Sequence, residues 1–153
     1  MTDELVRELE QNGFSYELIP HRLTTTAGEE AVALGIPREQ VAKTIVLATE
    51  GGYVRAVLPA SRRLDLHKAR ELLGGGDATR LATEEELAGA YPMFELGAVP
   101  PFGGPSGDRT LVDHRLAEQE SIVIEAGSHT ESLRLTTKDL LTLTGELADI
   151  CKD

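Results

Sequence analysis

The sequence predicts a single compact α/β domain that spans residues 1–153, with helices around a mixed sheet. Three observations support this prediction. Helix-capping signals and runs of β-branched residues alternate along the whole chain. The chain is long enough to bury one substantial core, and no repeat with a period of roughly 20 to 50 residues is present. Helices and strands that mix in this way are typical of one domain built on a mixed sheet or an irregular barrel.

Five helices are predicted from their start and stop signals. In three of them a threonine can accept a hydrogen bond from a free amide of the first turn, and an acidic residue follows three positions later. These three helices begin at Thr26, Thr83 and Thr136 and should end near Gly35, Gly89 and Gly145. The other two cover residues 3–11, closed by Asn12 and Gly13, and residues 65–73, closed by the glycines at 74–76.

Short runs rich in β-branched residues lie between these helices and predict strands. The runs are residues 15–19, 41–49, 53–58, 110–113, 121–125 and 132–135. Gly51 and Gly52 separate the second run from the third, a composition that permits a two-residue hairpin turn.

Lys43 occupies an unusual position in the first strand of this hairpin. If Gly51 and Gly52 form the turn, Lys43 pairs with Ala60 and shares its face with apolar residues such as Ile45 and Leu58. The opposite face, which carries Thr44, Ala48, Tyr53 and Arg55, is where a solvated ammonium group is expected. Burial of an unpaired ammonium is costly, so Lys43 either extends to solvent at the strand end or points into a polar cleft. In a cleft it could bind an anionic or carbonyl oxygen.

Composition and charge exclude several classes of protein. No apolar tract is long enough for a membrane span, and the charged first eleven residues do not form a secretory signal, so a cytoplasmic location is expected. Cys151 is the single cysteine, which excludes an internal disulfide and a cysteine metal cluster. The net charge of -11 argues against a broad basic surface for nucleic acid.

One basic segment stands out in this acidic chain. In residues 61–70, four cations are set against Asp65, for a local charge of +4 - 1 = +3. The cations are Arg62, Arg63, Lys68 and Arg70. The segment is either the solvated face of a helix or a local contact for RNA.

The motifs that would indicate metal, nucleotide or nucleophilic chemistry are missing from the sequence. Its four histidines lack the spacing of metal ligands, and there is no nucleophile elbow, dinucleotide fingerprint or Walker loop. We therefore predict no metal and no cofactor. His129, in a turn between two strands, and His21, between a strand and a helix, could each face a ligand or lie in an ordinary exposed loop.

The segment GAVPPFGG, residues 97–104, has a rigid centre and ends whose backbone is conformationally free. Its two prolines hold the backbone extended before any ligand arrives, whereas its glycines allow a sharp turn or close approach to a ligand. The amides of Gly97, Ala98 and Val99 could form a concavity for a carbonyl or an anion. A surface turn stiffened for stability has the same composition.

Four segments in this order resemble the YbaK/prolyl-tRNA synthetase-associated editing domain family. They are VAKTIVL, which contains Lys43, the loop GAVPPFG, then LVDHRL and AGSHTESLRL. The resemblance extends from about residue 19 to the helix that begins at Thr136, and the ordered set is more specific than any one motif. It implies a compact α/β domain with a mixed, mostly antiparallel, barrel-like sheet that deacylates aminoacyl-tRNA carrying the wrong amino acid, usually on tRNA for proline.

The resemblance also implies roles for individual residues. Lys43 and Gly97 fall on the catalytic positions of the family, and the aminoacyl ester is expected to lie between them. The implied substrate-binding residues are His21, Thr44, Ala98, Val99, Pro100, Pro101, Phe102, Gly103, Gly127, Ser128 and His129. The basic residues Arg62, Arg63, Lys68 and Arg70 become candidates for contact with the tRNA acceptor end.

Hydrolysis without a protein nucleophile is the mechanism that this resemblance implies, with loop amides holding the ester carbonyl and Lys43 positioning the substrate. Aminoacyl-tRNA is the expected partner, together with prolyl-tRNA synthetase or an elongation factor. The loop has Pro100 where some cysteine-editing relatives have serine, so alanine, serine and cysteine remain open as substrates. Two other hypotheses remain open: a non-catalytic module that binds aminoacyl-tRNA or a synthetase, and a hydrolase for another small ester or amide.

Overall fold

The computed structural model describes residues 3–74, 78–104 and 108–153, with side chains from residue 5 onward. Five α-helices lie in these residues. They are α1 (Asp3–Gln11), α2 (Ala27–Leu34), α3 (Leu66–Leu73), α4 (Glu84–Ala90) and α5 (Thr137–Thr144). All five match the predicted helices. Gly75 and Gly76, predicted with Gly74 to close α3, lie outside the described residues, whereas Gly74 itself is the C-cap.

The capping threonines perform the predicted role with one difference. Thr26, Thr83 and Thr136 each accept a hydrogen bond from the amide three residues on, but the reciprocal bond of a full capping box forms only at Thr83. Helix α4 ends one residue beyond the predicted Gly89. The helix continues through Gly89 to Ala90 because the amide of Tyr91 still donates to the carbonyl of Leu87, at 2.8 Å.

Eight strands in the described residues form one mixed sheet. The strands are β1 (Glu17–Pro20), β2 (Val41–Thr49), β3 (Gly52–Pro59), β4 (Arg80–Leu81), β5 (Arg109–Asp113), β6 (Ser121–Glu125), β7 (Glu131–Thr136) and β8 (Leu147–Ala148). Their order is β1-β7-β6-β2-β3-β5-β8, and β4 pairs with β2 outside this path. Four pairings are antiparallel and three are parallel, which confirms the predicted mixed sheet. Strands β4 and β8 have two residues each, too short for a periodic signal.

The register of the β2–β3 hairpin differs from the prediction. The turn residues are Glu50 and Gly51, because Gly52 already pairs with Thr49. Lys43 is therefore opposite Leu58, and the predicted partner Ala60 is wrong. The shift is two residues along β3, so every side chain keeps its predicted face, since alternation has a period of two.

Both faces of the β2–β3 hairpin are buried. The larger core lies on the face of Val46 and Val57, where residues of α1, α5 and the Gly97–Gly104 segment pack. A second core on the other face contains Leu47 and Val54 and packs against α3. The expectation that the Arg55 face meets solvent is thus wrong: Arg55 is 2% exposed. Strand alternation shows which residues share a face, but helices and loops decide what covers it.

Candidate functional site

The side chain of Arg55 fixes the shape of the GAVPPFGG loop. It reaches the loop from β3 and donates from Nη1 to the carbonyl oxygen of Pro100, at 2.9 Å, and from Nη2 to that of Gly103. Nη2 also lies 3.5 Å from the carboxylate of Asp108, and the guanidinium stacks 4.9 Å from the ring centre of Tyr91. Pro100 and Pro101 cannot donate to other backbone groups, so the loop depends on their carbonyls for anchoring. The buried side chain of Arg55 thus anchors the loop through its carbonyl groups.

At the start of this loop, Gly97 has a backbone conformation that only glycine adopts easily. Its φ angle is +79°, and a β-carbon at this position would lie 3.4 Å from Cε1 of His129. The amide of Ala98 donates to the carbonyl of Glu95 at 3.0 Å. It is therefore not free to hold a ligand carbonyl in this conformation. The amides of Gly97 and Val99 have no hydrogen-bond partner among the described residues, so they are the donors that a ligand could use.

The turn that contains His129 packs against the residues that lead into the loop. The amide of Glu95 donates to the carbonyl of Gly127 at 2.9 Å, and the amide of His129 donates to the Glu95 carboxylate at 2.9 Å. Nε2 of His129 lies 2.5 Å from the carbonyl oxygen of Leu96, which requires Nε2 to be the donor. Ser128 contacts Thr130 at 3.4 Å and has no described contact with the loop.

An unpaired edge of β2 lies opposite this loop. Strand β6 pairs with β2 at Val41 and Ala42, and β4 pairs with it at Leu47 and Ala48. The carbonyl of Val46 faces this edge, because it accepts from the amide of Ala82 at 3.0 Å. Backbone groups alternate in direction along a strand, so the amide and carbonyl of Thr44 also face the edge. No strand covers them in the part of the chain that the structure describes.

A small, mostly apolar cavity separates this strand edge from the loop. Its volume is about 210 Å³. It is lined by Thr44, Ile45, Val46, Leu81, Ala82, Leu87, Gly97 and Val99. Pro100, Pro101, Phe102 and Gly103 are not among these lining residues. Phe102 packs into the larger core, and Pro101 with Gly103 lines a different cleft beside Arg55 and Glu8. The first part of the predicted loop thus lines the cavity, whereas its second part is buried and anchors the loop.

Lys43 lies next to Thr44 but projects from the opposite face of β2. It is half-buried, and its ammonium has no hydrogen-bond or ion-pair partner among the described residues. Burial lowers the pKa of Lys43; a negative charge on Cys151 would raise the pKa, and the positive charge of Arg63 lowers it. The structure therefore places an unpaired cation at the point where β6 separates from β2.

A buried polar cluster that the sequence did not reveal lies on the same face as Lys43. Parallel pairing matches Ala42 with Ile124, so the next residues, Lys43 and Glu125, project from the same face. Glu125 pairs with Ser132 across the β6–β7 ladder. The Ser132 hydroxyl donates to Oε2 of Glu30, from α2, and also lies 2.7 Å from Nε2 of His21. An acid on the apolar face of α2, beside Ala27 and Ala31, was the available sequence signal.

The carboxyl groups in this cluster are held in an environment that disfavours their charge. Burial raises the pKa of Glu30, and the hydrogen bond from Ser132 opposes this effect in part. Burial raises the pKa of Glu125 well above 4.5, and the neighbouring charge of Glu30 raises it further. Nδ1 of His21 lies 2.7 Å from the carbonyl of Arg22 and must donate to it. Ser132 has a single hydroxyl hydrogen, so while it donates to Glu30 it can only accept at its contact with Nε2 of His21.

The basic segment at 61–70 is only partly available to a polyanion. Lys68 forms ion pairs with Asp149 and Asp153, at 3.2 and 3.1 Å, and Nε of Arg70 donates to the carbonyl of Thr79. Arg62 and Arg63 are exposed. The local positive charge is therefore reduced by the C-terminal acids, which the sequence count did not include.

One group of residues has potential metal ligands close together. Oxygen and nitrogen atoms of Asp113, His114 and Asp149 lie within 4.8 Å of one another. Both carboxylates already face the Arg115 guanidinium, at 3.2 and 3.3 Å, and Asp113 also accepts from the amide of Ile150. Arg115 thus supplies the positive charge that these carboxylates require. The group also holds the C-terminal segment in place.

The fold is shared with solved structures of similar sequence. A crystal structure described as a "putative trans-editing enzyme for prolyl tRNA synthetase" superimposes with a TM-score of 0.87. The two chains are 31% identical, and the match covers 100% of this chain and 99% of the other. The model of the aminoacyl-tRNA editing domain family matches residues 21–143. The chain belongs to this family, which confirms the resemblance found in the sequence.

Two further relatives define how far the similarity extends. Proline--tRNA ligase from Streptococcus pneumoniae is 29% identical over 108 residues, which cover 71% of this chain and 17% of the ligase. The chain thus corresponds to about a sixth of that relative. The crystal structure of a hypothetical protein, 24% identical, has a TM-score of 0.89 and covers 98% of this chain and 100% of its own, which shows the shared fold. None of the helices in the described residues is long and apolar enough to cross a membrane.

Proposed function

We propose that this protein is an aminoacyl-tRNA deacylase that acts in trans on tRNA for proline esterified with alanine, serine or cysteine. The observation that carries the proposal is the cavity of about 210 Å³ between the rigid loop and the open edge of β2. It is small and mostly apolar, and two of its lining residues, Gly97 and Val99, have backbone amides that are unpaired in the described residues, which suits a site for a small aminoacyl group. Membership of the editing family supports the same substrate class.

In the proposed reaction, water attacks the carbonyl carbon of the aminoacyl ester. The amides of Gly97 and Val99 stabilise the negative charge that develops on the carbonyl oxygen. The bond to the ribose oxygen then breaks, the ribose oxygen takes up one of the two protons of the attacking water, the other proton passes to solvent, and the amino acid leaves as a carboxylate. Ser132 and Cys151 are both 0% exposed, so neither is placed to attack a substrate.

Lys43 supplies the positive charge in this mechanism. It has no described partner and lies where β6 leaves β2, so it can swing towards an incoming ester or the sugar-phosphate beside it. Exposed Arg62 and Arg63 are proposed contacts for the acceptor end, while Lys68 would first have to exchange its acidic partners. A net charge of -11 predicts weak intrinsic affinity for tRNA, which prolyl-tRNA synthetase or an elongation factor would supplement.

A deacylation panel tests the proposal. Transfer RNA for proline is charged with alanine, serine, cysteine or proline and incubated with wild-type protein, Lys43→Ala or Lys138→Ala. We expect Lys43→Ala to lower the rate about a hundredfold, as loss of one transition-state contact does. The exposed Lys138 provides the same change of charge away from the cavity and should leave the rate unchanged.

Two outcomes would overturn the proposal. Binding of charged tRNA without turnover of any of the four esters would identify a non-catalytic module. Cleavage of small free esters, with no cleavage of charged tRNA, would identify a hydrolase of another substrate class.

A further inference from the structure

Two buried carboxylate oxygens in the cluster beneath α2 lack a partner. Oε1 of Glu30 and Oε2 of Glu125 are inaccessible to solvent, and no described residue donates a hydrogen bond to either. Glu30 as a whole is 3% exposed. Buried polar atoms in folded proteins are nearly always hydrogen-bonded, because water that is lost on burial must be replaced. These two oxygens therefore indicate a missing donor.

The two oxygens belong to one site. Ser132 is the cross-strand neighbour of Glu125 and the hydrogen-bond donor to Glu30, so a single residue contacts both acids. The charges of the two carboxylates also interact. The other ionisable groups that act on Glu30 are His21 and His129. Two acids whose buried carboxylates act on each other require a proton or a cation to compensate their charge.

We propose that Glu30 and Glu125 bind a primary ammonium group, namely the α-amino group of the aminoacyl ester. This inference rests on the proposed function. An ammonium group offers three N–H donors, which can satisfy both free oxygens at once.

The positions of the two acids agree with the covalent structure of this substrate. The α-amino group is bonded to the carbon next to the ester carbonyl, so the two binding sites must adjoin. Glu125 lies two residues before Gly127, whose carbonyl accepts a hydrogen bond from the amide of Glu95, two residues before the loop. His129 contacts the position where Gly97 would carry a side chain, and it also acts on the charge of Glu30.

An amine site of this kind would give the protein a specific selectivity. Esters with a free amine would bind, whereas those with an acylated amine would bring an uncharged amide, and its bulk, to two buried acids. The protein would thus spare peptidyl-tRNA and other N-blocked esters while it removes single amino acids.

The test compares alanyl-tRNA for proline with its N-acetylated form. We expect wild-type protein to cleave the free-amine ester at least about a hundredfold faster, since a buried hydrogen-bonding site strongly rejects a ligand that leaves it unpaired. Glu125→Gln should reduce this preference to less than about tenfold without slowing the N-acetylated ester. Glu118→Gln, at an exposed position, is the matched control and should keep the full preference.

A binding measurement separates this inference from the proposed function. The probe is 3′-alanylamino-adenosine, whose amide linkage resists hydrolysis, with and without an N-acetyl group, and its affinity is measured by titration calorimetry. If wild-type protein binds the free-amine probe more tightly than the acetylated probe, and Glu125→Gln loses this preference, the inference is supported even if no ester is cleaved. The inference would be overturned if wild-type protein deacylates tRNA but cleaves the free-amine and N-acetylated esters at equal rates. Magnesium or calcium binding that requires Glu125 and excludes the amine probe would also overturn it. The urea midpoint of each variant confirms that it is folded.

Discussion

Replacement of Arg55 by methionine should destabilise the protein strongly, because the guanidinium is the buried anchor of the loop. The substitution keeps much of the aliphatic stem but removes every hydrogen bond of the side chain. It leaves the carbonyls of Pro100 and Gly103 without their donor and removes the cation that faces Asp108. All three partners lie in or beside the segment that lines the proposed site.

The expected magnitude follows from these contacts. A buried acceptor left without a donor costs about 1–3 kcal/mol, and breaking a buried charge pair costs about 3–5 kcal/mol. Asp108 keeps the 2.6 Å hydrogen bond from Tyr91 and is 19% exposed, so its loss is partial. We therefore expect a loss of about 3–5 kcal/mol in the free energy of unfolding, against a usual total of about 5–15 kcal/mol. With a typical urea slope, the midpoint falls by roughly 2 M.

Urea unfolding followed by circular dichroism measures this effect. Arg109→Met is the matched control, because Arg109 pairs with Glu146 at the surface, where both side chains are about half exposed. An exposed pair contributes about 0–1 kcal/mol, so this control should stay close to wild type. Arg55→Lys can bind one of the two carbonyls and should be intermediate, and it also provides a measurement if Arg55→Met fails to fold. An Arg55→Met protein within about 1 kcal/mol of wild type would refute the anchoring role.

Three further predictions follow from the site. Gly97→Ala should lower deacylation more than about tenfold, because a side chain is disfavoured at a φ of +79° and would press on His129; Gly13→Ala has a similar φ of +68° with nothing within 4 Å, and should keep full activity. Cys151 should not react with a thiol reagent at pH about 8 until urea is added, because it is 0% exposed and burial, followed by its hydrogen bond with Asp113, raises its pKa to about 12; rapid reaction of the native protein would contradict this burial. Glu125 binds its proton more tightly in the folded than in the unfolded state, so it should make wild-type stability fall as pH rises above the ordinary pKa of 4.5, and Glu125→Gln should be less sensitive to pH over that range; parallel pH curves for the two proteins would contradict the raised pKa.

Much of the fold could be predicted because its signals are local. A threonine followed by an acid three residues later begins a helix at Thr26, Thr83 and Thr136 in the structure, as the sequence predicted. The positive-φ glycines at 35, 74 and 145 end helices for an equally local reason. The hairpin register was predicted less well, because Glu50-Gly51 and Gly51-Gly52 both suit a tight turn.

The site was predicted in part, and the residues that were missed share a physical feature. The sequence singled out Gly97, Val99 and His129 as candidates, because Gly/Pro composition and family order mark them. Glu30, Arg55 and Ser132 were not found, because each becomes informative only when a distant segment buries it. The partners of Arg55 lie 45 and 48 positions further along the chain, and Ser132 donates to Glu30 across 102 positions.

The sequence by itself determined the helices, most of the strands and the strand face on which Lys43 lies, since these depend on neighbours in the chain. It also determined the family, through the order of the motifs. Only the tertiary structure decided which amides of the loop are free, because the Ala98 amide bonds to Glu95 and those of Gly97 and Val99 do not. It also placed Ser132 beside both Glu30 and Glu125. Hydrogen bonds and burial between distant segments depend on how the chain folds back on itself, and a residue's type does not reveal which partner it will meet.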